Sequence, residues 1–73
     1  MTSTRLQVLD VVALTEGVPA LKLLRGQVGT VVELFPDGAV EVEFADENGR
    51  TFAQGAFSPD RLLKLYYRPA KVA

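Results

Sequence analysis

The chain has 73 residues, the length of one small domain, and 48% of them are hydrophobic, which argues against a disordered chain. It contains no cysteine and no histidine, so it lacks the usual metal ligands, thiol nucleophiles and imidazole bases. Its formal net charge is −1, without the basic excess that nucleic-acid binders usually carry. We therefore expect a single non-enzymatic domain with no cofactor, no metal and no catalytic residues.

The sequence gives no sign of export or of membrane insertion. Its first residues, Met-Thr-Ser-Thr-Arg, lead into no long apolar run, so no signal peptide is expected. No window approaches the length of a membrane span. The lack of cysteine fits a reducing compartment. We expect a cytoplasmic domain that spans residues 1–73 and is ordered over about 6–67, with no membrane contact.

The N-terminal part predicts a strand followed by a long connection. Valine pairs favour a strand over about Val8 to Leu14, and one helical turn could precede it. A glycine and a proline end this strand, and a short leucine-rich helical piece follows. Because a connection of this length must bury its own apolar side chains, we expect Leu21, Leu23 or Leu24 to close one end of the fold.

The stretch from Arg25 to Phe44 predicts a β-hairpin. Two β-branched, alternating runs flank Pro36–Gly38, where proline pre-sets φ and glycine accepts a positive φ. With those three residues as the loop, Glu33 faces Glu41, and strict alternation sorts the side chains onto two faces. The inward set is Thr30, Val32, Leu34, Val40, Val42 and Phe44. The outward set is Val31, Glu33, Phe35, Ala39, Glu41 and Glu43.

The second hairpin has alternative interpretations. The Asn48-Gly49 pair is a strong two-residue turn signal, and a type I′ turn there places Phe44 opposite Ala53 and Phe52 outside. A four-residue loop keeps the same parity. A three-residue loop reverses it and buries Phe52, and the sequence does not decide between them.

The C-terminal part predicts a single helical turn and a last strand. Ser58 stands at a cap position directly before Pro59, and the run from Leu62 to Tyr66 is strand-like. Pro69 ends the ordered part. Taken together, the elements predict an all-β fold: a small five-stranded SH3-like barrel with one short helical turn before the last strand.

Several segments resemble a bacterial family of unknown function, domain of unknown function 4926. They are Leu24–Glu33, Val40–Phe44 and Asn48–Thr51, and the run Gly-x-x-Gly-Thr-Val-Val in the first is the most telling. The resemblance extends from about Asp10 to Leu65 and implies an SH3-like fold with no established activity and no catalytic residues. A looser likeness to the KOW segment of ribosomal and transcription proteins, which also has Gly-x-Val, suggests nucleic-acid binding as the alternative function.

Two surfaces are candidate binding sites. The outward hairpin face would gather carboxylates and aromatic rings. The alternative interpretation is that this face is an ordinary solvated surface without a binding function. We predict partner binding there, by Val31, Glu33, Phe35, Glu41, Glu43 and Phe52. The nucleic-acid alternative would use Arg61, Lys64, Arg68 and Lys71.

The favoured function is a protein-interaction module. Such a module would act as an accessory or regulatory subunit, or as the neutralising partner of a neighbouring-gene product. A protein partner of unknown identity is expected, and a homodimer is the alternative use of the same surface. The charge balance disfavours nucleic acid.

Overall fold

One antiparallel sheet of five strands organises the computed structural model, which describes residues 5–69. The strands are β1 (Val11–Leu14), β2 (Val28–Leu34), β3 (Val40–Ala45), β4 (Thr51–Phe57) and β5 (Leu62–Lys64). Their order in the sheet is β4-β3-β2-β1-β5, so the last strand returns to pair with the first. The predicted all-β fold is confirmed, and β5 ends short of the predicted Tyr66.

Helical structure in residues 5–69 is limited to two short 3₁₀ turns, Pro19–Leu21 and Pro59–Arg61. The second directly precedes β5, which confirms the turn predicted from the Ser58-Pro59 pair. The first ends where Lys22 adopts a left-handed φ of 59°. Neither turn is long or apolar enough to cross a membrane.

The first strand begins later than predicted, at Val11 rather than at Val8. A turn occupies the intervening residues, because the Asp10 N–H donates to the Gln7 carbonyl at 3.0 Å. The Asp10 carboxylate accepts the Gln7 N–H at 2.8 Å in return. Leu9 lies within this turn with a φ of 79°, a left-handed conformation that an L side chain rarely adopts. The apolar run is therefore bent before it can join the sheet.

The β2–β3 hairpin has the predicted three-residue loop. The Phe35 N–H donates to the Ala39 carbonyl at 2.9 Å across the loop, and Gly38 takes a φ of 96°. The Asp37 carboxylate accepts the Ala39 N–H at 3.0 Å. Proline, aspartate and glycine thus fill the roles that their backbone preferences favour.

A β-bulge in β2 overturns part of the predicted alternation. Glu33 lies opposite Glu41 as predicted, but the register then shifts and Val31 lies opposite Val42. Val32 is the extra residue of the bulge. Val31 is consequently fully buried, although the alternation placed it outside, and Val32 is only half-buried.

The β3 half of the predicted inward face is confirmed. Its buried residues are Val40, Val42 and Phe44. On β2, Thr30 lies opposite Glu43, on the side away from the buried residues, so its inward placement is wrong. Leu34 lies opposite Val40 as predicted but remains 47% exposed near the hairpin tip.

The β3–β4 hairpin closes through a three-residue loop rather than a type I′ turn. The Asp46 N–H donates to the Arg50 carbonyl at 2.8 Å, and the Gly49 N–H donates to the Asp46 carbonyl at 2.9 Å. Gly49 has a φ of 81°, so the loop ends on a left-handed glycine. A loop of this length would by itself reverse the parity of β4.

A second bulge restores that parity. The register shifts between Phe44 and Ala45, which lie opposite Ala53 and Thr51 respectively. Phe52 is therefore the extra residue of β4, and its side chain stays 47% exposed. Phe52 is thus a surface residue despite the three-residue loop.

The core lies on one face of the sheet and receives side chains from all five strands. Its members are Leu6, Val12, Leu14, Leu23, Val31, Val40, Val42, Phe44, Phe57 and Leu62. The rings of Phe44 and Phe57 meet edge to face, with centroids 5.8 Å apart. Leu23 is the predicted leucine that closes the core. Within residues 5–69 no ladder joins β4 to β5, so the sheet is open and the closed SH3-like barrel stays an interpretation.

Candidate functional site

Three glutamates form what we call the acidic strip on the outer face of the β2–β3 hairpin, the face away from the core: Glu33, Glu41 and Glu43. Glu33 lies directly opposite Glu41 in the ladder. Glu41 and Glu43 alternate with the buried residues of β3, so both project to the outer face. Side chains directly opposite in an antiparallel pair have Cβ atoms only about 5 Å apart. The register therefore brings like charges together, as predicted.

Within residues 5–69 the acidic strip has no basic partner. The ion pairs of that part of the chain are Arg61–Glu16 at 3.2 Å and Lys64–Asp10 at 3.3 Å. The Thr51 hydroxyl donates to Glu43 Oε1 at 3.0 Å, which orients this carboxylate without neutralising it. No group of three or more histidine, cysteine, aspartate or glutamate side chains in the same range could hold a metal ion. Among the described residues, the strip is thus a local concentration of negative charge without a counter-charge.

The predicted aromatic patch beside the strip does not form. Val31 was expected in it, but its side chain is fully buried in the core, so Val31 as a partner-binding residue is wrong. Phe35 is half-buried at the β2–β3 loop and lies opposite Ala39, whereas Phe52 lies beside Phe44 of β3. Ala39 and Phe44 are five residues apart, so at about 3.4 Å per residue the two aromatic side chains are about 17 Å apart along β3. Phe52 alone is an exposed aromatic ring next to the Thr51–Glu43 hydrogen bond.

Two of the four basic residues proposed for nucleic-acid binding form ion pairs within the described residues. Arg61 is paired with Glu16, and Lys64 is paired with Asp10. The Lys64 ammonium also lies 5.3 Å from the ring centroid of Tyr66. Arg68 is exposed, and Lys71 lies outside the described residues. Nucleic-acid binding stays a prediction, with two of its four residues already engaged by carboxylates.

A second exposed apolar group was not among the predicted site residues. Leu9, Tyr66 and Tyr67 are exposed together around an open depression of about 750 Å³. The consecutive tyrosines were the available sequence signal for it. The exposure of Leu9 had no such signal, because it depends on the turn that bends the chain before β1.

The comparison with known proteins agrees with the resemblance drawn from the sequence. The model of one family, described as Domain of unknown function (DUF4926), matches residues 8–64. This range contains all five strands and covers more than half of the 73 residues. No curated protein and no solved structure matches the chain. The chain therefore belongs to the family described as Domain of unknown function (DUF4926).

Proposed function

We propose that this domain is a non-enzymatic protein-interaction module that binds a partner with a basic surface. The partner would contact the outer face of β2, β3 and β4 at the acidic strip. In this role the domain serves as an accessory or regulatory subunit, or as the neutralising partner of a neighbouring-gene product. A cytoplasmic location is part of the proposal and is supported by the absence of cysteine.

The observation that carries the proposal is the pairing of Glu33 with Glu41 without a counter-charge in residues 5–69. Like charges directly opposite each other in a sheet are destabilising. A lysine or arginine from a partner would convert this repulsion into attraction. Complementary charge of this kind also steers association and excludes wrong partners.

Phe52 supplies the apolar component that charge alone lacks. It is 47% exposed at a bulge, and the neighbouring Thr51 hydroxyl is bonded to Glu43. Exposed aromatic residues are frequent energetic anchors at protein interfaces, with polar groups around them. The combination supports a contact surface that includes both the acidic strip and the Phe52 ring.

The test is capture of the partner from cells that produce this protein, followed by charge reversal. The wild-type chain should retain a specific partner, and the Glu41→Lys/Glu43→Lys variant should lose it. The matched control for the single reversal Glu41→Lys is Glu47→Lys, which changes the net charge equally at an exposed position outside the strip and outside the Arg61–Glu16 ion pair. Phe52→Ala should weaken capture as well.

Two results would reject the proposal. One is the absence of any specific partner with the wild-type chain. The other is equal loss of capture in Glu41→Lys and in its control, because only net charge would then matter.

A further inference from the structure

β4 forms one edge of the sheet. Within residues 5–69, no strand pairs with the side of β4 that faces away from β3. The strand order places β3 on one side of β4 and no strand on the other. Apart from its ladder with β3, no backbone hydrogen bond in this part of the chain involves residues 51–57. An edge of this kind presents unpaired N–H and C=O groups that can pair with another strand.

The two edges of the sheet differ in how they are protected. β5 is only three residues long, carries Lys64 and directly follows Arg61. Short length and positive charge are devices that keep a strand edge from pairing. β4 has seven residues, Thr-Phe-Ala-Gln-Gly-Ala-Phe, with no charge and no proline. Its bulge is confined to Phe52, and Ala53 to Phe57 pair with β3 in unbroken register.

Apolar groups flank this edge. Leu21 lies on the first 3₁₀ turn, and its Cδ1 is 3.5 Å from the position that a Cβ on Gly55 would take. Both Leu21 and Phe52 are partly exposed. An added strand would therefore cover apolar surface in addition to forming main-chain hydrogen bonds.

We propose that the occupant of this edge is β4 of a second copy of the chain, paired antiparallel about a two-fold axis. A two-fold contact uses the same surface twice, and the uncharged β4 is compatible with itself in any such register. With pairing centred on Gly55, Phe57 lies opposite the small Ala53 of the second copy, and Gln54 lies opposite Ala56. The inference does not rest on the proposed function, because the seam lies on the edge and leaves the acidic strip uncovered; the two surfaces share Phe52.

The charge distribution permits this dimer. The two β3 strands would be separated by three strand spacings, about 14 Å. This exceeds the Debye length of about 8 Å at physiological ionic strength, so repulsion between the two acidic strips is largely screened. Pairing through β5 would instead bring Lys64 of one copy close to Lys64 of the other.

The test is sedimentation of the full chain over a range of concentrations. We expect a species of twice the 7.9 kDa chain mass that dissociates on dilution. The variant Gln54→Lys/Ala56→Lys should weaken association by about 100-fold or more, because pairing centred on either Gln54 or Gly55 then juxtaposes lysines. Its monomer should stay folded, since these positions lie opposite Glu43 and Glu41. The matched control, Glu41→Gln/Glu43→Gln, raises the net charge equally but should remain dimeric.

Several outcomes would overturn the inference. A wild-type chain that is monomeric at every concentration has no such seam. If the amide hydrogens of β4 that point away from β3 resist exchange in that monomer, another segment of the chain covers the edge. A dimer that persists in the lysine variant is joined elsewhere. Growth beyond a dimer that the lysine variant abolishes would show that the β4 contact does not close about a two-fold axis.

Discussion

Glu33 faces Glu41 across the β2–β3 ladder, and no basic side chain in residues 5–69 neutralises either of them. The pairing follows from the three-residue loop and from the burial of Val40 and Val42 on the opposite face. The hairpin therefore cannot relieve the repulsion by a slip in register without exposing its core valines. The isolated domain bears an electrostatic cost that a bound partner could remove.

Neutralising one member of this pair should stabilise the isolated domain. We expect Glu41→Gln to raise the free energy of unfolding by about 0.3–1 kcal/mol, because like charges directly opposite are destabilising by that order. Urea denaturation at one fixed protein concentration measures the change. Glu47→Gln, at an exposed loop position, controls for net charge and should change stability less. A loss of stability in Glu41→Gln would show that the carboxylate makes a favourable contact in the monomer.

The bulge at Val32 predicts unequal effects from two neighbouring valines. Val31→Ala removes methyl groups from a fully buried side chain and should cost about 2 kcal/mol or more. Val32→Ala should cost less than about 1 kcal/mol, because that side chain is only half-buried. Denaturant titration of both variants decides the order. Strict alternation from the loop predicts the reverse order, so a larger effect at Val32 would contradict the bulge.

The features of the fold that depend on local backbone preference were predictable from the sequence. The Pro36–Gly38 loop, the turn at Pro59–Arg61 and the alternation of β3 follow from residue type and period alone. Bulges do not, because an extra residue in one strand is selected by the packing of distant side chains. The bulge at Val32 changed the faces of Thr30 and Val31. The bulge at Phe52 cancelled the reversal of side-chain parity that the three-residue β3–β4 loop would otherwise cause.

The candidate site was predictable to the same extent. Glu41 and Glu43 lie on a strand without a bulge between them, and their outward placement was correct. Strict alternation from the loop places Val31 on the outer face, and the bulge at Val32 turns it inward. The open edge of β4 could not be predicted, since strand order depends on which strands finally pair.

Adding a single methyl group at Gly29 should destabilise the domain more than at the other glycines of the sheet. A Cβ at this position would lie 2.6 Å from Val42 Cγ1 and 2.8 Å from Phe44 Cδ1, both within the buried core. We expect Gly29→Ala to destabilise the domain by about 1–3 kcal/mol through overpacking. Gly55→Ala is the comparison, because its Cβ would meet atoms no closer than 3.4 Å. Thermal unfolding of both variants should show a lower midpoint for Gly29→Ala alone. Equal losses would argue against the close packing of the Val42 and Phe44 side chains on Gly29.

The two ion pairs should differ in strength although their distances are similar. Lys64 and Asp10 are 3.3 Å apart with side chains 24% and 19% exposed, whereas Arg61 and Glu16 are 3.2 Å apart at 56% and 70%. Water screens the exposed pair, so a double-mutant cycle should give it a coupling of about 0.5 kcal/mol or less. The Lys64–Asp10 pair should give about 1 kcal/mol, because less water reaches it and Asp10 is oriented by the Gln7 N–H.

The substitutions for the two double-mutant cycles are Asp10→Asn with Lys64→Met, and Glu16→Gln with Arg61→Met. Added salt should reduce the Arg61–Glu16 coupling more than the other, and equal couplings would mean that Lys64 is held by its contact with Tyr66 rather than by Asp10.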